Sequence, residues 1–233
     1  SMLINSYDDK AMTFFMNQSK NILDWNLQTD IQSQRGYRDH SSSLSVILNL
    51  QFKFKLKYFE KFIISINHLF SPYALDPGSL TLEQKYLNPN SSRLENQLYD
   101  ARESVSQNKI SLRTAKLLFD KTLLKTDLWI LHRCFKNKLP FQDGGQVELM
   151  RKYFGFSSKL IYGFNFGETN NKIMFGIETN NQNDLRKRFD NFMGIRGPMG
   201  YKSKEQFLMV ATFVQYQMTF GNHQCYLGIR LDN

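Results

Sequence analysis

Residues 44–58 alternate apolar and polar side chains along their whole length, and that alternation limits what the chain can become. Leu44, Val46, Leu48, Leu50, Phe52, Phe54, Leu56 and Tyr58 fall on one side, and Ser45, Ile47, Asn49, Gln51, Lys53, Lys55 and Lys57 on the other. Only extended backbone has a side-chain period of two, so the segment reads as a β-strand with one fully apolar face. At ~3.3 Å per residue it reaches roughly 50 Å, longer than an ordinary strand, which predicts a bend, a bulge or a projecting arm.

The rest of the chain reads as helices around that strand. Met12, Phe15, Met16, Ile22, Leu23 and Trp25 predict one or two short helices within residues 2–27, followed by a polar loop at Gln28–Ser43. Phe59, Phe62, Ile63, Ile66, Leu69 and Phe70 follow a 3–4 spacing that predicts a helix, with a strand through Phe62, Ile64 and Ile66 as the alternative. Ser71–Asn90 reads as a long loop. Ser92 with Glu95 forms a capping-box pattern, and Ser111 can open a longer helix through Cys134. Pro140 and Gly144–Gly145 end that region, and a short helix is expected at Gln146–Tyr153. Lys159–Gly167 and Lys172–Thr179 read as a hairpin, residues 184–192 and 203–218 as helices, and Gln224–Leu231 as a last strand after the Gly221–Asn222 turn.

The expected class is therefore α+β: a mainly antiparallel sheet including the long amphipathic strand, with several packed helices. Two regions are expected, residues 2–145, with the long strand and central helices, and residues 146–233, with one continuous domain as the alternative. With 233 residues, 41% hydrophobic and 14% aromatic, a globular core is expected rather than disorder. Ser1 reads as a tag remnant ahead of Met2. No secretory signal is read after Met2, and no stretch approaches ~18 apolar residues, so no membrane span is expected. Cys134 and Cys225 read as free thiols in a reducing compartment. The expected location is intracellular, in the cytoplasm.

The formal charge of +9 points to polyanionic partners, RNA or DNA first. Three basic clusters carry this expectation. Lys53, Lys55 and Lys57 on one strand face would stand about 7 Å apart, near phosphate spacing, or would simply solvate a sheet edge. Arg186, Lys187, Arg188, Arg196, Lys202 and Lys204 surround Gly197 and Gly200, where glycine lets backbone N–H groups approach an anion. Lys109, Arg113, Lys116, Lys121, Lys125, Arg133, Lys136 and Lys138 give the central region its basic excess.

The order strand, helix, Gly197–Pro198–Met199–Gly200, helix, strand resembles the KH nucleic-acid-binding domain over about residues 146–231. That resemblance implies a GXXG loop clamping a single-stranded backbone. The same residues also read as a helix–helix connection with a glycine C-cap and a proline stop. Glu168, Glu178 and Asp184 resemble the acids of restriction-type nucleases, with Lys172 replacing the missing lysine of the Glu-x-Lys pattern. The four histidines show no metal spacing, and His132 and Cys134 would point apart on a helix. The expected function is thus non-enzymatic nucleic-acid binding, without cofactor or metal. The alternatives are a structural or assembly subunit that self-associates through the long strand, and a metal-dependent nuclease or degenerate relative.

Overall fold

The computed structural model describes residues 2–4 and 8–233; Ser1 and residues 5–7, the latter inside the expected N-terminal helices, lie outside the described residues. Among the described residues the strands are β1 (Met2–Ile4), β2 (Lys10–Ser19), β3 (Leu23–Gln34), β4 (Ser43–Phe54), β5 (Lys61–Leu75) and β6 (Arg102–Phe119). They continue as β7 (Thr122–Lys138), β8 (Gln146–Phe166), β9 (Thr169–Phe192), β10 (Ile195–Phe220) and β11 (His223–Asp232). Two short helices, α1 (Leu82–Leu87) and α2 (Leu94–Leu98), lie in the β5–β6 connection. Every strand pairs antiparallel with its chain neighbours, giving one eleven-stranded meander from β1 to β11.

The α+β expectation is therefore corrected to an almost wholly antiparallel sheet. Among the described residues, the helices expected in 2–27, 59–70, 111–134, 146–153, 184–192 and 203–218 fall instead on strands and the short connections between them. For 59–70 the alternative strand is the one observed, with Ile64 and Ile66 on one face. The long strand is present, but β4 ends at Phe54, and residues 55–60 turn into β5. The capping box lies at Thr81–Gln84, opening α1, while α2 begins after Arg93 without a side-chain cap.

The register shows why these sequences form strands. Trp25, Phe52, Ile64, Leu112, Leu128, Phe156, Thr179 and Val210 are successive cross-strand partners in one row across eight strands. The adjacent row is Asp24, Lys53, Ile63, Arg113, Asp127, Ser157, Glu178 and Ala211. Neighbouring rows point to opposite faces. One face of the sheet is thus apolar and the other polar over nearly its full width. Among the described residues no second layer covers the apolar face: Ile130 is 54% exposed, Phe175 54% and Leu227 71%. So large an apolar surface calls for a nonpolar medium or partner.

The two ends of the sheet differ. At one end the connections are brief: residues 20–22, 55–60, Asp120–Lys121, Gly167–Glu168 and Gly221–Asn222. At the other lie residues 35–42, 76–101, 139–145 and the Met193–Gly194 turn. The apolar band sits beside the turn end, where Phe54, Tyr162, Phe164, Phe166 and Phe220 form an aromatic rim. Ten tilted residues of such a band rise about 25 Å. Strands β8, β9 and β10, with 21, 24 and 26 residues, run well past it toward the loop end.

Candidate functional site

The polar face collects charge in cross-strand rows. Toward the loop end Arg133, Arg151, Asp184 and Glu205 are successive partners on β7, β8, β9 and β10. Arg151 forks onto Asp184, with Nε donating to Oδ1 at 2.9 Å and Nη2 to Oδ2 at 2.7 Å. Gln182 Nε2 donates to the same carboxylate at 3.1 Å, and the Asp184 side chain is 1% exposed. One step on, Arg186 donates to Glu205 at 2.8 Å. Arg133 stands apart. Its guanidinium lies 5.5 Å from the Phe135 ring, and its buried Nε has no hydrogen-bond partner among the described residues.

At the height of the apolar band the polar face holds a concavity of about 520 Å³, with Lys109, Arg113, Asp127, Trp129, Lys159 and Glu178 around it. Arg113 donates to Asp127 at 2.7 Å, and Arg230 reaches Glu178 at 3.1 Å. Lys109 and Lys159 form no ion pair among the described residues. Trp129 lies across its partner Gly155, where an added Cβ would sit 2.0 Å from the indole. Phe213 covers Gly176 in the same way at 2.1 Å. These glycines let large rings lie flat on the polar face, an arrangement that stabilises curved sheets.

The loop end is held by buried polar groups. Asn191, 0% exposed, donates to the carbonyls of Tyr99 and Leu139 and accepts from Gly194 N and Gln146 Nε2. One side chain thereby ties three connections together. Lys138 Nζ donates to Asp100 at 2.7 Å and to the Gly194 carbonyl at 2.8 Å, and Arg102 also pairs with Asp100. Burial works against the Asp100 charge, but these two cations hold its pKa below the usual carboxylate value. Arg38 donates to the carbonyls of Ser91, Gly78 and Pro77, fixing residues 35–42 to the long connection.

The residues singled out from sequence fall in several places. Lys53 lies on the polar face, but Lys55 and Lys57 are beyond the end of β4. Lys55 Nζ is 2.6 Å from Asp24, and Lys57 lies 5.8 Å from the Tyr58 ring. The even comb of three lysines does not form. Gly197 and Gly200 sit within β10, where the register to β9 shifts between Arg196 and Tyr201. The segment is an irregular strand, so the KH arrangement of two helices about a GXXG loop is absent. Arg196 stacks on Phe189 at 4.3 Å and pairs with Glu148. Arg186 and Arg188 share the polar face, whereas Lys187, Lys202 and Lys204 are brought together on the other.

The nuclease grouping also separates. Glu168 is in a turn, and Glu178 and Asp184 stand six residues apart along β9, roughly 20 Å. Each of the latter two is held by an arginine. Among the described residues no group of three or more His, Cys, Asp and Glu side chains could hold a metal ion. His132 and Cys134 do share a face, because the segment is a strand, and lie 3.9 Å apart. The central basic residues divide as well: Lys109, Arg113 and Arg133 face the polar side, and Lys116 and Lys136 the other. Sequence reasoning missed Arg151, Asp184 as its partner, and Lys152. Their signal was the alternation of residues 146–166, legible only once that segment is read as a strand.

No family model and no curated protein matches this chain. Solved structures do. The unliganded ferric citrate transporter FecA matches with a TM-score of 0.82 and 16% identity, over 99% of this chain and 36% of that one. The pyoverdine outer membrane receptor FpvA from Pseudomonas aeruginosa PAO1, bound to pyoverdine, gives 0.81 and 9%, over 99% and 39%. The ferric-catecholate import receptor Fiu from K12 E. coli gives 0.74 and 13%, over 99% and 40%. The chain thus spans about two-fifths of the length of these proteins, and the likeness is one of fold.

That fold corrects the functional expectations. The solved structures of this shape are a transporter, an import receptor and an outer membrane receptor, which overturns the expected intracellular nucleic-acid binder and its RNA or DNA partners. The absence of an apolar run did not exclude a membrane span. No helix among the described residues is long and apolar enough to cross a membrane, but barrel strands cross with only about ten residues of alternating character.

Proposed function

We propose that this chain forms part of the wall of an outer-membrane β-barrel receptor that takes up a small anionic ligand. The observation that carries the reading is the unbroken apolar band on one face, backed by a polar face across the same strands. In hydrocarbon every backbone group needs an internal partner, which a closed barrel supplies. The apolar face then meets lipid, and the polar face lines the lumen. The brief turns belong to the periplasmic side and the longer loops with the extended β8–β10 to the outside, as in other outer-membrane barrels. Because β1 and β11 are edges of an open sheet, the reading requires further strands, from this or another polypeptide, to pair them.

The ligand class follows from the polar face. Lys109, Lys159 and Arg133 present cationic donors without a carboxylate partner among the described residues, inside a lumen where Trp129 offers an aromatic wall. Proteins of this shape are named for ferric citrate, ferric catecholates and pyoverdine. An anionic iron chelate suits these donors, which would bind it through charge-assisted hydrogen bonds.

The two tryptophans make the membrane reading testable, since Trp25 is on the apolar face and Trp129 on the polar one. In vesicles with brominated acyl chains, Trp25 fluorescence is expected to be quenched. Trp25→Phe should abolish the quenching, and Trp129→Phe should leave it. Added ferric citrate should quench Trp129 selectively. Equal quenching of both residues by bromolipid, or of neither, would sink the reading.

A further inference from the structure

Past the apolar band, the lipid side of β8, β9 and β10 has its own charge pattern. Lys152, Lys187, Lys202 and Lys204 all lie on this side, toward the loop end. Lys187 and Lys202 are direct cross-strand partners, and Lys204 stands one same-face step from Lys202, about 7 Å away. None of the four forms an ion pair among the described residues. Glu148, the cross-strand partner of Lys187 on β8, is engaged by Arg196 and, at 3.9 Å, by Lys136. Like charges set directly opposite one another repel, a cost that an anion from outside would relieve.

Apolar surface lies directly beneath these charges. Lys152 stands between two shallow concavities on this face. One, of about 520 Å³, has Ile110, Ile130 and Phe154 as its apolar floor and His132 on its rim. The other, of about 320 Å³, runs from Met150 and Leu185 to Lys204. Cations above and hydrocarbon below match an amphiphile with an anionic head. We infer that this surface binds the headgroup of a phosphate-bearing lipid, with its acyl chains lying along the band below. The inference rests on the membrane reading above. Lysine suits the role, since a flexible point charge can follow a phosphate without fixed geometry.

The test uses the full chain in detergent micelles, offered phosphatidylglycerol or phosphatidylcholine, with retained lipid counted by native mass spectrometry. Phosphatidylglycerol should be retained about tenfold more than phosphatidylcholine, and millimolar inorganic phosphate should not displace it. The variant K152Q/K187Q/K202Q/K204Q should lose that preference. The same four positions as Arg, and the polar-face control K125Q/K172Q, should keep it. Equal retention of the two lipids, an unchanged quadruple Gln variant, or full displacement by inorganic phosphate would overturn the site. Bromolipid quenching of Trp25 separates the two failures. With quenching intact, only the headgroup site is lost. Without it in any lipid, the membrane reading fails and the site with it.

Discussion

On β8 and β9 adjacent residues carry like charges on opposite faces, and the two faces treat them differently. Arg151 and Arg186 on the polar face each fork onto a carboxylate of the next strand. Their immediate neighbours Lys152 and Lys187 have no such partner among the described residues. The residue types agree with the difference. Arginine's planar fork matches a carboxylate held at fixed register, while lysine is a mobile point charge. The arginines of β8 and β9 on the polar face are thus paired within the protein, and the lysines beside them on the other face are left open to a partner. Charge excess alone, +9 for the chain, does not distinguish these situations.

Substitutions on the two faces sharpen that contrast. The largest effect should come from Leu128→Arg in the middle of the apolar band, which should cost about 3 kcal/mol in denaturant unfolding from vesicles. Ser111→Arg, on the polar face one strand away, should cost under about 1 kcal/mol. Similar costs at both positions would mean that the two faces meet the same solvent. Next, Asp184→Ala should destabilise by about 2 kcal/mol, because it strands Arg151 in a partly buried site. An Arg151→Met/Asp184→Leu double variant should recover most of that loss. Lys202→Gln should have the opposite sign, a gain of about 0.5 kcal/mol in uncharged detergent, since it removes repulsion from Lys187. If Lys202→Gln destabilises, the lysine has an internal partner and the contrast is wrong.

The smallest effect is local and lies at the loop end. The folded pKa of Asp100 is depressed, so its contribution is complete above the ordinary value of 3.8 and is lost as pH falls through the lower, folded value. Protease nicking within 76–101 should therefore rise below about pH 4 and stay flat from pH 5 to 8. Asp100→Asn should nick readily at every pH. Nicking independent of pH in the unmodified chain would show that Lys138 and Arg102 do not hold this connection.

How much of this was legible in the sequence depended on the face opposite the band. In β4 the alternating positions are Asn49, Gln51 and Lys53, so period two stood out, and the strand was read within a few residues. In β7 and β10 the polar face also carries Leu123, Trp129, Leu131, Phe207, Met209 and Phe213, which fill in a 3–4 spacing and imitate a helix. The β6–β7 turn was hidden for another reason. Lys121 has a positive φ of 63° with no glycine or asparagine to announce it. The Gly221–Asn222 turn, which has a glycine, was read correctly. The lysines near Gly200 were noticed as a cluster, but their division between two faces needed the register. Lys152 escaped because the other lysines of its face, Lys187, Lys202 and Lys204, lie more than thirty residues away in the chain.

The strictly sequential order of the meander also bears on how the chain assembles. Each strand's partner is the next in the chain, so contacts are local in sequence and each hairpin can add to an existing edge without waiting for a distant segment. The exception is β5 to β6, whose connection spans 76–101. Closing it costs about 2 kcal/mol more chain entropy than closing a two-residue turn. The bonds from Asn96 to Asp76 O and from Arg93 N to Pro77 O divide that connection into smaller rings. Buried Asn96 therefore does within this connection what the two-residue turns do elsewhere: it shortens the step that closes the strand pair.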